Sequence, residues 1–268
     1  MTELNNAVIV LTGATGGFGR ELTNQLLQAG SRLILTDISQ TGLDEYAAEV
    51  SREIDSGKII ACIASDLSSR EGCQTLFQEI EALNTPVDIL INNAGIALFG
   101  RMDEVPADKW ERLMEVNLMT PMRLSSLFSA GMIERRKGHI VNISSLAGWI
   151  SPAGMAHYSS SKFGLRGFSE GLFNEVKPYG VKVTAVYPFF SRTPILQSES
   201  FGTLAKDGGG NFPENLATDP AKVMAKTIKA IQKNKLQVFP DRMANTIHIL
   251  KQYFPAGFDL ISDLFSTN

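Results

Sequence analysis

The sequence predicts an α/β domain with a doubly wound parallel sheet covered by helices on both faces. Seven short apolar runs rich in β-branched residues recur along the chain, and stretches long enough for a crossover helix separate the first six. A glycine-rich segment joins the first run to the first helical stretch. With 268 residues, 44% hydrophobic and 20% charged, the chain has material for a large core and reads as one domain over 1–268.

The strands are expected at 7–11, 32–36, 59–64, 88–92, 139–143, 181–187 and 236–239, each short and apolar enough to be buried on both faces. Helices are expected at 18–29, 42–54, 70–83, 107–136 and 158–176, with Gly30, Pro86, Pro178 and Pro188 punctuating the boundaries. The segment 189–219 breaks the alternation and carries Gly208-Gly209-Gly210. It is long for a connection and follows the sixth strand, so it reads as a substrate loop or lid at the ligand-binding edge. The end of the chain, 241–268, reads as a helical extension in which Phe254, Phe258, Ile261, Leu264 and Phe265 recur at helical spacing. Such a stripe suits a pocket cover, a subunit contact or a membrane surface, and Asp259 and Asp263 weigh against anionic lipid.

Several function classes are disfavoured at once. The chain has 25 Lys+Arg against 28 Asp+Glu, a net charge of −3, and no long basic block, so no nucleic-acid partner is expected. No apolar run approaches the roughly 18–20 residues of a membrane span, and the polar start 1–6 has no leader pattern, so a cytoplasmic protein is expected. Cys62 and Cys73 read as reduced thiols, and His139, His157 and His248 form no ligand cluster, so no metal is expected. Gly167 to Gly171 fits GxSxG but sits within a helical stretch, where a nucleophile elbow needs a preceding strand. Asn142-Ile143-Ser144 fits a glycosylation sequon but lies in a buried strand.

Thr12-Gly13-Ala14-Thr15-Gly16-Gly17-Phe18-Gly19 runs from a strand straight into a helix. There, backbone amides and a helix N-terminus can hold a pyrophosphate, with glycines supplying the tight turn, phosphate approach and close helix packing. Asp37 follows Gly13 by 24 residues at the end of the second strand, placed to accept both adenosine ribose hydroxyls and to repel a 2′-phosphate. Ile38 and Ser39 follow it, and no Arg or Lys lies between Gly13 and Gly19, so NAD is the expected cofactor in preference to NADP.

Tyr158 and Lys162 are four apart on a helical stretch and share a face. A fixed ammonium favours the phenolate of a nearby tyrosine, whose ordinary pKa of about 10 makes it a poor catalyst at neutral pH. Ser145 stands thirteen residues earlier, at the end of the fifth strand and on the edge that carries the glycine turn.

In these motifs the sequence resembles the single-domain short-chain dehydrogenase/reductase family, from Val8 to Thr193. TGxxxGxG is Thr12 to Gly19, the adenine-bordering Asp is Asp66 followed by Leu67, and NNAG is Asn92 to Gly95. The active-site Asn, Ser, Tyr and Lys fall on Asn117, Ser145, Tyr158 and Lys162. The resemblance implies a Rossmann-type three-layer sandwich with a seven-stranded sheet in the order 3-2-1-4-5-6-7. It implies dinucleotide contacts from Gly13, Thr15, Gly17, Phe18, Gly19, Asp37, Asp66 and Leu67. Asn93, Ala94, Gly95, Tyr158, Lys162, Pro188 and Thr193 complete that set. The family's Pro-Gly after the sixth strand is Pro188-Phe189 here, which implies a different loop path, while Thr193 keeps the family offset.

The implied chemistry is hydride transfer between nicotinamide and a secondary alcohol or ketone. Ser145 would stabilise charge on the substrate oxygen, and Tyr158 would act as general acid or base. Lys162 would lower the tyrosine pKa and hold the nicotinamide ribose, and Asn117 would keep a water that links the lysine to solvent. Phe99, Ile150, Met155, Phe189, Phe190 and Leu196, with Trp149 and Phe201 nearby, make the expected pocket apolar and suit a hydrophobic substrate. His157 reads first as a helix-start residue beside that pocket. A 3-oxoacyl-chain reductase using NADPH is the rival enzyme, disfavoured by Asp37. A non-catalytic NAD sensor is the rival outside enzymes, disfavoured by the intact set of four. A homodimer or homotetramer built on the Asn117 and Tyr158 helices is expected from the family.

Overall fold

The computed structural model describes residues 1–206 and 217–255. Its strands are β1 (Val8–Thr12), β2 (Arg32–Asp37), β3 (Lys58–Ala64), β4 (Ile89–Asn92), β5 (Gly138–Ile143), β6 (Val181–Val186) and β7 (Gln237–Val238). They form one parallel sheet in the order β3-β2-β1-β4-β5-β6-β7, as expected. The strand ends therefore share one edge, and the winding reverses between β1 and β4. A crevice opens at such a reversal, where ligands bind in open α/β sheets.

The helices are α1 (Gly17–Gln28), α2 (Gln40–Glu53), α3 (Arg70–Ala82), α4 (Ala107–Met114), α5 (Thr120–Glu134), α6 (Ala156–Val176), α7 (Gly202–Lys206), α8 (Pro220–Gln232) and α9 (Arg242–Tyr253). Alternate residues of the strands feed the two faces. Ile9 and Leu11 pack with α1, α2 and α8 through Leu22, Leu43 and Val223. Val8 and Val10 pack with α3, α5 and α6 through Leu76, Leu124 and Leu172. Ser39, Ser69, Asp219 and Asp241 cap the N-termini of α2, α3, α8 and α9 by accepting backbone amides.

One element departs from expectation. The helix read over 107–136 is interrupted by a π turn at Glu115–Met119, between α4 and α5. Pro121 has no N–H to offer the Asn117 carbonyl four residues back, and this missing α-helical donor accords with a widened turn there. Ser169 of the GxSxG lies inside α6 with no strand before it, and Asn142 is buried in β5, so both motifs are structural. Cys62 and Cys73 are free thiols.

Gly208-Gly209-Gly210 and the apolar stripe at Phe258, Ile261, Leu264 and Phe265, with Asp259 and Asp263, lie outside the described residues. No helix among the described residues is long and apolar enough to cross a membrane.

Candidate active site

A cleft of about 1050 Å³ opens at the strand-end edge above β1, β4 and β5. That volume exceeds the usual range for a single small molecule and admits a dinucleotide together with a substrate. The β1–α1 turn forms its floor. Gly13 has φ +66°, and a Cβ there would lie 2.8 Å from Ala94 Cα, so the turn and the β4 end can touch only without a side chain. The two are stitched together, because Thr12 Oγ1 accepts the Asn93 and Ala94 amides at 2.9 Å and Asn93 Nδ2 donates to the Thr12 and Gly13 carbonyls.

The other glycines have distinct tasks. A Cβ on Gly19 would fall 2.0 Å from the Gly13 carbonyl oxygen, so Gly19 serves turn closure and does not line the cleft. Gly16 does line it, a residue absent from the expected set. A Cβ on Gly17 would meet Thr193 Cγ2 at 2.5 Å, which shows the loop after β6 resting on the turn despite Phe189 replacing the family glycine. Thr193 thus keeps its expected place at the cleft. The α1 N-terminus has neither a side-chain cap nor an acid in its first turn, so its amides are available to an anion. These features fit a pyrophosphate.

At the adenosine end, Asp37 Oδ2 accepts from Thr15 N at 2.9 Å and Thr15 Oγ1 at 2.6 Å, and Oδ1 accepts from Ile38 N. The carboxylate is held facing the cleft with acceptor capacity to spare. Arg20, just past the turn, is the cation that the motif reading passed over. Its Nε donates to the Thr15 carbonyl, its guanidinium lies 4.3 Å from the Tyr46 ring centre, and it pairs with Glu49 at 3.5 Å, outside the cleft lining. Asp66 accepts the Ser68 hydroxyl and amide, which hold its carboxyl below the usual range, and Leu67 lines the cleft beside it. Gly95 and Pro188 also line it, as does Phe18.

The four expected catalytic residues converge at the opposite end. Ser145 immediately follows the β5–loop junction, and its Oγ accepts the Ala147 amide at 3.1 Å and hydrogen-bonds the Tyr158 phenol. Tyr158 and Lys162 occupy successive turns of α6, 8% and 4% exposed, with Lys162 Nζ 5.5 Å from the Tyr158 ring centre. Nζ donates to the Ile143 carbonyl at 3.2 Å. Asn117, fully buried, clamps the chain beyond β4: Oδ1 accepts Ile96 N and Nδ2 donates to Ile96 O, both at 2.9 Å, and Nδ2 also reaches Ser161 Oγ at 3.2 Å. The π turn is what delivers that amide to Ile96.

One electrostatic expectation is corrected. Burial pushes the Tyr158 phenol up to about 12, with the Ser145 hydrogen bond pulling the other way. Burial also brings Lys162 down to about 8. In the protein alone, desolvation outweighs any pull of the ammonium on the phenol.

Phe99, Ile150, Met155, Phe189, Phe190 and Leu196 all line the substrate end. Trp149 does not. It points away, under the Arg166 guanidinium at 3.3 Å and edge-on to His248 and Tyr187. Phe201 packs behind the pocket with Leu98 and Val105, and His157 is spent on the Leu98 carbonyl at 3.0 Å. The loop after β6 is clasped to the β4–α4 connection. Phe99 N donates to Glu199 O, Phe201 N donates to Phe99 O, and Lys109 pairs with Glu199 at 2.9 Å across the rim.

Asp241 was not expected. It is 7% exposed, its Oδ1 caps α9 through Ala244 N at 2.7 Å, and its Oδ2 accepts the Phe189 amide at 2.9 Å. An acid before a helical run signals a cap, but nothing in the sequence reveals the second bond, made across 52 residues. Asp241→Ala removes the α9 cap and the carboxylate bond to the Phe189 amide, so a loss of about 2–3 kcal/mol in urea unfolding is expected. Weaker dinucleotide binding should accompany it by fluorescence titration, since the loop bearing Pro188 and Thr193 loses its anchor.

The short chain dehydrogenase family model matches residues 7–202. The chain belongs to the short-chain dehydrogenase/reductase family. This family member is 31% identical to human epidermal retinol dehydrogenase 2 over 258 residues, covering 95% of this chain and 80% of that one. It is 37% identical over 196 residues to the 3-oxoacyl-[acyl-carrier-protein] reductase of Aquifex aeolicus, covering 72% and 77%. A short-chain dehydrogenase/reductase of Burkholderia phymatum in complex with NAD superposes with a TM-score of 0.82 at 25% identity, covering 94% and 95%. Another solved relative carries NADP. An oxidoreductase of this family, acting with a nicotinamide cofactor, follows.

Proposed function

We propose that this protein is an NAD(H)-dependent oxidoreductase of hydrophobic secondary alcohols and ketones. The observation that carries the reading is the meeting of Ser145, Tyr158 and Lys162 at one end of a cleft whose other end presents Asp37. The α1 amides would hold the pyrophosphate, and Asp37 the adenosine ribose. When bound, the oxidised dinucleotide supplies a hydride acceptor and a positive ring charge that favours the Tyr158 phenolate.

Ser145 donates to the substrate oxygen, and Tyr158 takes the hydroxyl proton in oxidation or returns it in reduction. Lys162 holds the nicotinamide ribose and adds positive charge beside the phenol. Asn117 keeps the β4 end open and, in this reading, holds a water between Lys162 and solvent. The apolar residues Phe99, Ile150, Met155, Phe189, Phe190 and Leu196 support a hydrophobic substrate, and the retinol dehydrogenase relative accords with that class. Exposed Met122 on α5 and Phe163 on α6 support a homodimer or homotetramer through those helices.

Likeness to the 3-oxoacyl reductase favours a second reading, reduction of a 3-oxoacyl chain with NADPH. A panel of apolar alcohols, ketones and 3-oxoacyl thioesters, followed by dinucleotide absorbance with both cofactors, separates the two. Asp37→Ala should narrow the NAD preference by about 10-fold or more, since one carboxylate hydrogen bond to a ribose hydroxyl is worth about 1.5–3 kcal/mol. A wild type that already prefers NADPH would overturn the cofactor assignment. Thr15 would lose its carboxylate partner in that variant, so the NADP arm of the titration is the informative one.

A further inference from the structure

A second cleft, about 300 Å³, lies away from the active site between α8, β7 and the start of α9. Lys226, Lys229, Lys233 and Lys235 line it, and no Asp or Glu does. Three of these lysines recur at i, i+3 and i+7, on one face of α8 and its C-terminal cap. Among the described residues none of the four has an ion-pair partner; Glu170 reaches the cleft wall only through Gln237 and is already paired with Arg166. Asp241 is spent on two backbone amides. From Pro220 to Phe254 the sequence has seven Lys or Arg and a single acid, Asp241, in a chain of net charge −3.

The α8 dipole accounts for Lys229 and Lys233 at its C-terminal end, but not for Lys226 in mid-helix or Lys235 beyond the turn. A second copy of the chain is a poor occupant, because a two-fold contact would set lysines against lysines. The neighbouring surface narrows the choice. Asn245 of α9 lines the cleft, and the same helix face continues through Ile249 and Tyr253, which are 42% and 66% exposed. Exposed Arg242 precedes it on that face. Cations beside exposed aliphatic and aromatic side chains match the two layers of an anionic lipid surface, charged headgroups over apolar chains.

We infer that the α8 lysine cleft and the adjoining face of α9 dock this protein on anionic phospholipid. The inference does not depend on the substrate assigned above, although a membrane is where a hydrophobic alcohol would be met. Asp259 and Asp263 belong to the segment after α9, whereas this surface is complete by Tyr253.

Co-sedimentation with vesicles of phosphatidylcholine, alone or mixed with phosphatidylglycerol, tests it. The full chain should partition onto the mixed vesicles only, less so as salt rises. Lys229→Gln combined with Lys233→Gln should weaken partitioning about 30-fold, at roughly a fivefold loss per lysine. Ile249→Ser with Tyr253→Ser should weaken it independently. None of these residues lines the catalytic cleft, so turnover and melting temperature serve as controls that should stay at wild-type values. Equal partitioning onto both vesicle types would overturn the inference, as would a lysine variant that binds like wild type. Lysine-dependent binding to a short DNA duplex with none to vesicles would also overturn it.

Discussion

Tyr158→Phe should lower turnover by about 10²–10⁴-fold, the range typical of a lost general acid or base, while the protein still folds and binds dinucleotide. Among the described residues, the phenol is the titratable group that pairs with Ser145 at the end of β5, and it is nearly inaccessible to bulk water. Removing its oxygen leaves Ser145 Oγ still anchored to the Ala147 amide, and it removes a buried polar atom whose desolvation pushed the phenol up to about 12. The melting temperature should therefore move little. The groups that hold the pyrophosphate and adenosine, the β1–α1 turn and Asp37, lie at the other end of the cleft, and Lys162 remains for the nicotinamide ribose, so a fluorescence titration with NADH should give a dissociation constant near wild type. Wild-type turnover in this variant would remove Tyr158 from the mechanism. Loss of binding together with turnover would instead make the phenol a cofactor-positioning group.

The parts of the molecule legible in sequence are those set by local chemistry. The order of strands and helices followed from buried β-branched runs, and the glycine turn from the space a strand-to-helix reversal requires. Tyr158 and Lys162 followed from helical spacing. What stayed hidden depends on contacts between distant segments. The π turn at Asn117 needs both Pro121 and the Ile96 backbone, which a linear apolar pattern treats as ordinary helix. Trp149 is an apolar residue in the right loop, yet its ring is claimed by Arg166 of α6 and His248 of α9. Glycines carry similarly mixed signals. Gly17 reads as one of the glycines that shape a pyrophosphate turn, and the structure shows it also makes room for Thr193. The direction of the Tyr158 shift was misread for the same reason, because spacing reveals a neighbouring charge but not the depth of burial.

Lys162 shows how function and stability pull apart in such a site. Its ammonium is buried, its hydrogen bond goes to a neutral carbonyl, and among the described residues it has no ion-pair partner. Burial lowers it from the ordinary 10.5 to about 8. Between those values the unfolded chain holds the proton more tightly than the folded one, so the cost is fully present below about pH 8 and is relieved as pH rises toward 10.5. At neutral pH the cost is about 3 kcal/mol by the 1.36 kcal/mol per pKa step. Lys162→Met keeps most of the apolar stem and discards the charge. The variant should thus be more stable than wild type near neutral pH by up to about 3 kcal/mol, and lose nearly all turnover. The advantage should shrink as urea melts are repeated toward about pH 10, because the wild type sheds its buried charge over that window. Tyr158, raised to about 12, has the opposite slope, since the folded state keeps its proton longer and stability falls above pH 10. Both proteins contain that tyrosine, so its slope largely cancels in the difference between them. A variant less stable than wild type at neutral pH, or a difference that stays flat with pH, would show that the Lys162 charge is compensated in the folded protein and that its burial is not a cost carried for catalysis.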